Sequence, residues 1–382
     1  MIIKNLKLEN FRNFKKGNFD FFNKATVILG PNASGKTNLL EAVCLLATGK
    51  SFRARVEEEM IKYDAEIARV SAKVVSSKHQ KGNKTNPSAI SHDLDAVRLE
   101  VFLTRGEIKV GEEKYEKAPR KKLLLNKISR RLIDFAGNLK VVLFGPWDLE
   151  LVTASPSLRR KFLDTLLSQV DREYRRAILS YEKGLRQRNK LLYQLREESL
   201  TFSRTRLLFW DKLLIKNGDF ISQKREEFIN FANQTGPLNN QYFQLEYDKS
   251  PISEARLEQY ALEEIAAATT LVGPHRDDFI FKIKNQRSKI KNQERELARF
   301  GSRGEQRMSV LWLKLAELIF IEKKSGRNPV LLLDDIFSEL DQKHRKIVVD
   351  LVKNKKGQVI ITVTDPHDVE NFGKVEKIKL GG

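Results

Sequence analysis

The run Gly30-Pro31-Asn32-Ala33-Ser34-Gly35-Lys36-Thr37 satisfies the pattern G-x-x-x-x-G-K-S/T and constrains this chain more than any other stretch. Small residues let backbone N–H groups turn toward an anion, and the N-terminus of a following helix adds partial positive charge. In such a loop Lys36 reaches the β- and γ-phosphates of a nucleotide, Asn38 follows at the start of the helix, and the Thr37 hydroxyl ligates Mg²⁺. The flanks agree with this reading. Ala25 to Leu29 is an apolar, β-branched run that stops at Gly30-Pro31. Thr37 to Thr48 carries Leu40, Val43, Cys44 and Ala47 at helical spacing, and Gly49 closes it. Strand, glycine loop and helix in that order predict an α/β fold.

A nucleotide site of this kind needs a carboxylate at a second strand end. Val330-Leu331-Leu332-Leu333 is an apolar run that ends in Asp334-Asp335. Asp334 is the expected metal-side residue. Asp335, one step on, is placed to polarise an attacking water as general base, so Asp335 and Lys36 are the candidate catalytic pair. A third element precedes them. Phe300-Gly301-Ser302-Arg303-Gly304-Glu305-Gln306-Arg307 opens a helix expected to run from about Gly304 to Lys323. Such a turn offers a hydroxyl and free N–H groups to an anion, although a plain serine cap has the same pattern. Ser338-Glu339-Leu340-Asp341 follows the carboxylates, and Thr364-Asp365 follows the apolar run Val359 to Val363.

Charge narrows the partner. Seventy Lys and Arg against 50 Asp and Glu give a net charge of +20, which points to a polyanion, most often nucleic acid. A solubilised surface is the plain alternative. The single cysteine, Cys44, excludes an internal disulfide, and five scattered histidines argue against zinc. No run reaches the roughly 18 apolar residues of a membrane helix. The opening MIIKNLKLENFRNF has no signal-peptide core, so a cytoplasmic protein is expected.

Along the chain, Ile2 to Leu8 and Asn18 to Phe21 are strand candidates, and 97–133 alternates like strands and turns. Residues 76–95 are polar and predict a flexible loop. Ser155-Pro156 starts a long amphipathic helix, with helical pattern continuing, with breaks, to about 232. The division expected is 1–150 and 266–382 as the two parts of a nucleotide-binding lobe, with 151–265 as an inserted helical lobe.

Taken together, the phosphate loop, the Ser-Arg-Gly-Glu-Gln-Arg turn, LLLDD and SELD resemble an ABC-type ATPase of the SMC-like group. Within it the chain resembles the RecF family. The stretches that carry this are Leu8 to Phe14, Gly30 to Glu41, Leu143 to Glu150 with Arg159 to Asp164, Val272 to Asp278, and Phe300 to Asp341. The resemblance implies an ABC-type head, a mixed sheet with helices, carrying a helical second lobe. It implies an ATP-dependent homodimer in which Ser302 and Gly304 act in trans on the γ-phosphate and Asp341 crosses the interface. It places a nucleotide- or DNA-sensing arginine at Arg12. It implies binding to double-stranded DNA and to junctions with single-stranded gaps. It also implies work with RecR and RecO in loading RecA, in recombinational repair and the SOS response. The ATPase would be weak and DNA-stimulated, serving as a switch. Some positions depart from the family. Arg303 and Glu305 stand where glutamine is common, 283–298 looks expanded, Asp335 is shorter than the usual glutamate, and Asp148 occupies the region of the usual glutamine. An adaptor or architectural DNA-binding protein, with ATP as a structural ligand, is therefore the alternative.

Three segments concentrate base: ten Lys and Arg against four acids in 105–131, ten against four in 158–190, and nine against three in 281–307. Counterion release makes such clusters salt-sensitive, sequence-blind phosphate binders. The candidates for DNA contact are Lys121, Lys122, Arg130 and Arg131 in the first lobe, with Arg175, Arg186 and Arg188 in the second.

Overall fold

The computed structural model describes residues 1–75, 96–110, 114–197, 205–284, 294–372 and 375–381. The loop expected at 76–95 lies outside the described residues, as does most of the expansion expected at 283–298. The chain divides into two compact units, Met1–Asp148 with Ile321–Gly382, and Leu149–Phe320.

The first unit is built on two sheets. β1 (Ile2–Phe11), β2 (Phe14–Asp20), β4 (Ile67–Val75), β5 (Ala96–Thr104), β8 (Lys121–Leu125) and β9 (Ile128–Arg130) form an antiparallel sheet in the order β2-β1-β4-β5-β8-β9. A short hairpin pairs β6 (Glu107–Val110) with β7 (Lys114–Lys117). The other sheet is parallel and runs β10 (Val141–Phe144), β14 (Val330–Asp334), β15 (Val359–Val363), β3 (Ala25–Leu29), β16 (Glu376–Lys379). The strand directions of this α/β unit are thus divided between two sheets. β14 and β15 are buried at every position, which is why they read as unbroken apolar runs.

α1 (Lys36–Thr48) touches strands of both sheets and is buried from Leu39 through Ala47. Gly49 ends it in the left-handed conformation at φ 70° and donates to the Leu45 carbonyl, the stop that its position predicts. The core joins Leu39 to Ala47 with Ile3, Leu6 and Leu8 of β1, Val70 of β4, Val101 of β5 and Leu332 of β14. A four-residue turn of helix, α2 (Leu132–Phe135), follows β9. The first strand is longer than expected, reaching Phe11.

The second unit holds α3 (Pro156–Val170), α4 (Arg172–Glu197), α5 (Thr205–Asn233), α6 (Glu254–Gln259), α7 (Ala261–Ala267), α8 (Leu297–Phe300) and most of α9 (Arg303–Ser325). It is not wholly helical. β11 (Tyr242–Asp248), β12 (Asp278–Lys284) and β13 (Glu294–Glu296) form a small antiparallel sheet. Pairing of β11 with β12 carries this unit past residue 265. The first break in the helical stretch is Asp171, whose carboxylate accepts the Glu173 and Tyr174 N–H groups and starts α4. α10 (Gln342–Asn354) belongs to the first unit.

Candidate nucleotide site

Four parallel strands end on one edge of the sheet, and the phosphate loop and the two carboxylates lie at those ends. β3 runs into the phosphate loop, β14 into Asp334-Asp335, β15 into Thr364 and β10 into Gly145. Carboxyl ends of parallel strands are where open α/β sheets bind ligands. The register fixes the neighbours: Asp334 lies opposite Thr362, and Thr362 opposite Ile28.

The loop turns through two left-handed residues, Ala33 at φ 65° and Gly35 at φ 104°. A Cβ on Gly35 would meet Asn13 and Phe14 side-chain atoms at 2.7–2.8 Å, so glycine is required there. At Gly30 a Cβ would meet the Ser34 hydroxyl and the Leu380 carbonyl, at 2.5 and 2.9 Å. The Lys36 ammonium donates to the carbonyls of Gly30 and Pro31 at 2.7 and 3.0 Å. Among the described residues no carboxylate pairs with it, so its charge stays at the loop. The buried Ser34 hydroxyl has no hydrogen-bond partner among the described residues. A strained, amide-rich turn with an orphaned hydroxyl and an unneutralised lysine fits the phosphates of a nucleotide.

The Thr37 hydroxyl donates to Asp334 Oδ1 at 3.2 Å, and the Thr362 hydroxyl donates to the same oxygen at 2.6 Å. Burial pushes the Asp334 carboxyl up, against these two bonds. A desolvated carboxylate whose hydrogen-bond donors are neutral hydroxyls is suited to a divalent cation. Among the described residues no group of three or more His, Cys, Asp or Glu forms a metal cage. Thr37 and Asp334 would therefore share a Mg²⁺ with phosphate oxygens. Asp335 adopts a left-handed turn at φ 47°, and its N–H is accepted by Thr362. Its carboxylate lies 3.4 Å from the Thr364 hydroxyl, which is also 3.4 Å from Asn32 Oδ1. Pro31, Asn32 and Ala33 are exposed and Asn38 is half-buried. Asp148 does not extend toward a metal by its Oδ2, which accepts the Gly145 N–H at 2.9 Å and closes a turn.

Arg12 occupies the turn between β1 and β2 and is paired with the buried Glu41. Burial alone would push the Glu41 carboxyl up; hydrogen bonds from Arg12, Ser51 and Arg53 hold it below the usual range. Arg12 and Arg53 line a shallow, solvent-open depression of about 560 Å³ with Asn13, Asn38, Glu59 and Ile61. Of this cluster Asn38, next to the phosphate loop, and Arg12, through the family resemblance, are expected from the sequence; Glu41 and Arg53 are not. The signal for Glu41 is a carboxylate in the otherwise apolar stretch Leu39 to Ala47.

At the start of α9, Ser302 Oγ accepts the Glu305 N–H at 3.3 Å, and Glu305 accepts the Ser302 N–H at 2.8 Å. This reciprocal cap leaves Ser302 exposed, Gly304 partly so, and orients Glu305 toward Arg295. Asp341 is the exposed N-cap of α10, accepting the His344 N–H at 2.9 Å, and that bond first of all holds its carboxyl below the usual range.

The basic candidates divide. Lys122, Arg130 and Arg131 are exposed on β8, β9 and the residue that follows. Lys121 is ion-paired with Glu57 at 2.6 Å. Arg186 is exposed on α4, and Arg175 is half-buried, donating to the Ser168 carbonyl. Arg188 is corrected: it is 2% exposed and pairs with Asp211 at 2.6 Å and Glu264 at 2.7 Å. It continues the inward series Tyr174, Ala177, Tyr181, Gly184, so helical phase turns it into the unit, away from any DNA.

The family model described as "RecF/RecN/SMC N terminal domain" matches residues 2–380. The chain is 36% identical to the DNA replication and repair protein RecF of Herpetosiphon aurantiacus, over 96% of this chain and 94% of that protein. It is 34% identical to RecF of Chloroflexus aurantiacus, with the same shares covered. A solved structure of the recombination mediator protein RecF with ATP, in the RecFOR pathway, superposes with a TM-score of 0.80. The two are 28% identical, and the match covers 99% of this chain and 95% of that one. Fold and site together define the class, an ABC-type P-loop ATPase head of the SMC and RecF kind. The chain belongs to the RecF family of DNA replication and repair proteins.

Proposed function

We propose that this chain is an ATP-controlled DNA-binding protein of replication and recombinational repair, acting in the cytoplasm. The observation that carries it is the meeting of Lys36, Thr37, Asp334 and Asp335 on one sheet edge, above a loop shaped for phosphates. Lys36 and the loop amides bind the β- and γ-phosphates of ATP. Mg²⁺, held by Thr37 and Asp334, would neutralise charge on the phosphate oxygens. Asp335 orients and deprotonates the attacking water, and Thr364 holds that carboxylate in place.

Ser302, Gly304 and Asp341 are exposed or partly exposed and are free to meet a second copy. In the dimer, Ser302 and Gly304 of one subunit contact the γ-phosphate bound by the other, and Asp341 crosses the interface. ATP then closes the dimer and slow hydrolysis opens it. The closed dimer binds double-stranded DNA and junctions with single-stranded gaps, using Lys122, Arg130, Arg131 and Arg186. It acts with RecR and RecO ahead of RecA, in gap repair and the SOS response.

The test is the mass in solution by light scattering, without nucleotide, with ATP and Mg²⁺, and with a gapped duplex added at two salt concentrations. A dimer that needs ATP and is reinforced by DNA at low salt supports the reading. A mass unchanged by ATP removes the shared site and leaves Ser302 as a helix cap alone.

A further inference from the structure

Glu41 lies in the middle of α1 with its side chain 0% exposed. A lone carboxylate there costs several kcal/mol to desolvate. Among the described residues, three side chains donate to it. Arg12 grips it with two bonds, Nε to Oε2 at 2.8 Å and a terminal nitrogen to Oε1 at 2.7 Å. Arg53 Nε donates to Oε2 at 3.0 Å, and the Ser51 hydroxyl to Oε1 at 2.5 Å.

Buried ion pairs contribute little net stability compared with an apolar cluster of the same volume, so stability alone does not explain this one. The carboxylate's effect lies in what it orients. Both guanidiniums line the depression beside the loop, 18% and 39% exposed, and Glu59 adds a second carboxylate to its lining. Arg12 is held there in the left-handed region at φ 53°, its N–H bonded to the Met60 carbonyl at 2.9 Å. Positive φ is what the two-residue loop of the β1–β2 hairpin calls for, and the turn thereby carries Arg12 to the depression. A polar chain links the depression to the loop: Arg53 to Asn38, Asn38 to Asn13 at 2.7 Å, and Asn13 to the Ser34 carbonyl at 3.2 Å.

From this geometry we infer that Glu41 is a positioning residue. It fixes Arg12 and Arg53 on the wall of the depression, where they receive the nucleoside half of the nucleotide whose phosphates occupy the loop. The inference rests on the nucleotide reading above. The depression is open to solvent, and planar guanidiniums on its wall both donate to ribose oxygens and stack on bases.

Equilibrium binding of ATP and of inorganic tripolyphosphate to the full chain, with Mg²⁺, tests this on Glu41→Gln and Arg53→Ala. Glu41→Gln is expected to lose ATP affinity at least about ten-fold while tripolyphosphate affinity moves less than about two-fold. Arg53→Ala, half-exposed and so less costly to folding, should show the same selective loss and decides the matter if Glu41→Gln does not fold. Equal loss of both ligands means that Glu41 shapes the loop itself, and overturns the positioning role. Unchanged ATP affinity overturns it as well. An unaltered chain that binds neither ligand overturns the nucleotide reading and this inference with it.

Discussion

Thr37 Oγ1 and Asp334 Oδ1 are 3.2 Å apart, although 297 residues separate them in the chain. The hydroxyl opens α1 and the carboxylate ends β14, so the parallel sheet alone brings them together. Asp334→Asn keeps the shape and removes the charge. It is expected to lower ATP affinity at least about ten-fold with Mg²⁺ present and to change it little with the metal chelated. Titration with and without EDTA checks this; an unchanged Mg²⁺ dependence places the cation elsewhere.

Asp335 has a different task, and its variant separates binding from turnover. Asp335→Asn should slow hydrolysis by about 10²–10³ while ATP affinity stays within a few-fold. Under the switch reading the ATP-bound dimer then persists, measurable by light scattering over hours. Turnover that continues at the unaltered rate favours an adaptor in which hydrolysis is incidental.

Arg188 should affect folding rather than DNA. Arg188→Ala strands Asp211 and Glu264 inside the second unit and is expected to cost about 3–5 kcal/mol in urea unfolding. DNA affinity per folded molecule should hold. Lys122→Glu with Arg130→Glu should do the reverse: stability nearly unchanged, affinity for duplex reduced, and a shallower dependence on salt.

The pH dependence has a named contributor in the second unit. His275 donates from Nε2 to the Thr270 carbonyl and accepts the Tyr181 hydroxyl at Nδ1, at 2.9 and 2.8 Å. Burial pushes its pKa down from 6.5 to about 4. Between those values the unfolded chain binds a proton there that the folded chain does not. Stability contributed by this group is therefore complete above pH 6.5, falls as pH is lowered, and levels off below 4. Urea midpoints at pH 7, 5.5 and 4.5 should drop more steeply for the unaltered chain than for His275→Gln. Parallel curves would remove His275 as the cause.

Local chemistry explains what the sequence made legible. β3, the loop and α1 are contiguous, and each is specified by its own residues: β-branched apolar side chains, small residues and glycines, then a helical stripe ended by Gly49. Asp334 and Asp335 are equally plain, because a strand buried on both faces has no polar residue until it ends. The Ser302 cap is readable for the same reason, since its partner Glu305 is three residues away. Reading failed where phase or distance decided. Arg188 lies in a run rich in exposed Lys and Arg, and only its step from Gly184 and the carboxylates of α5 and α7 make it interior.

The sequence by itself therefore determined the phosphate loop, the helix it opens and the carboxylates of the second strand, because each depends on neighbours a few residues away. Tertiary structure alone decided which oxygen Thr37 faces, that Glu41 gathers Arg12 and Arg53 around one depression, and that β11 and β12 join in the second unit. Those relationships depend on the order of strands in a sheet. That order is set by burying apolar faces across the whole chain, and no short stretch encodes it.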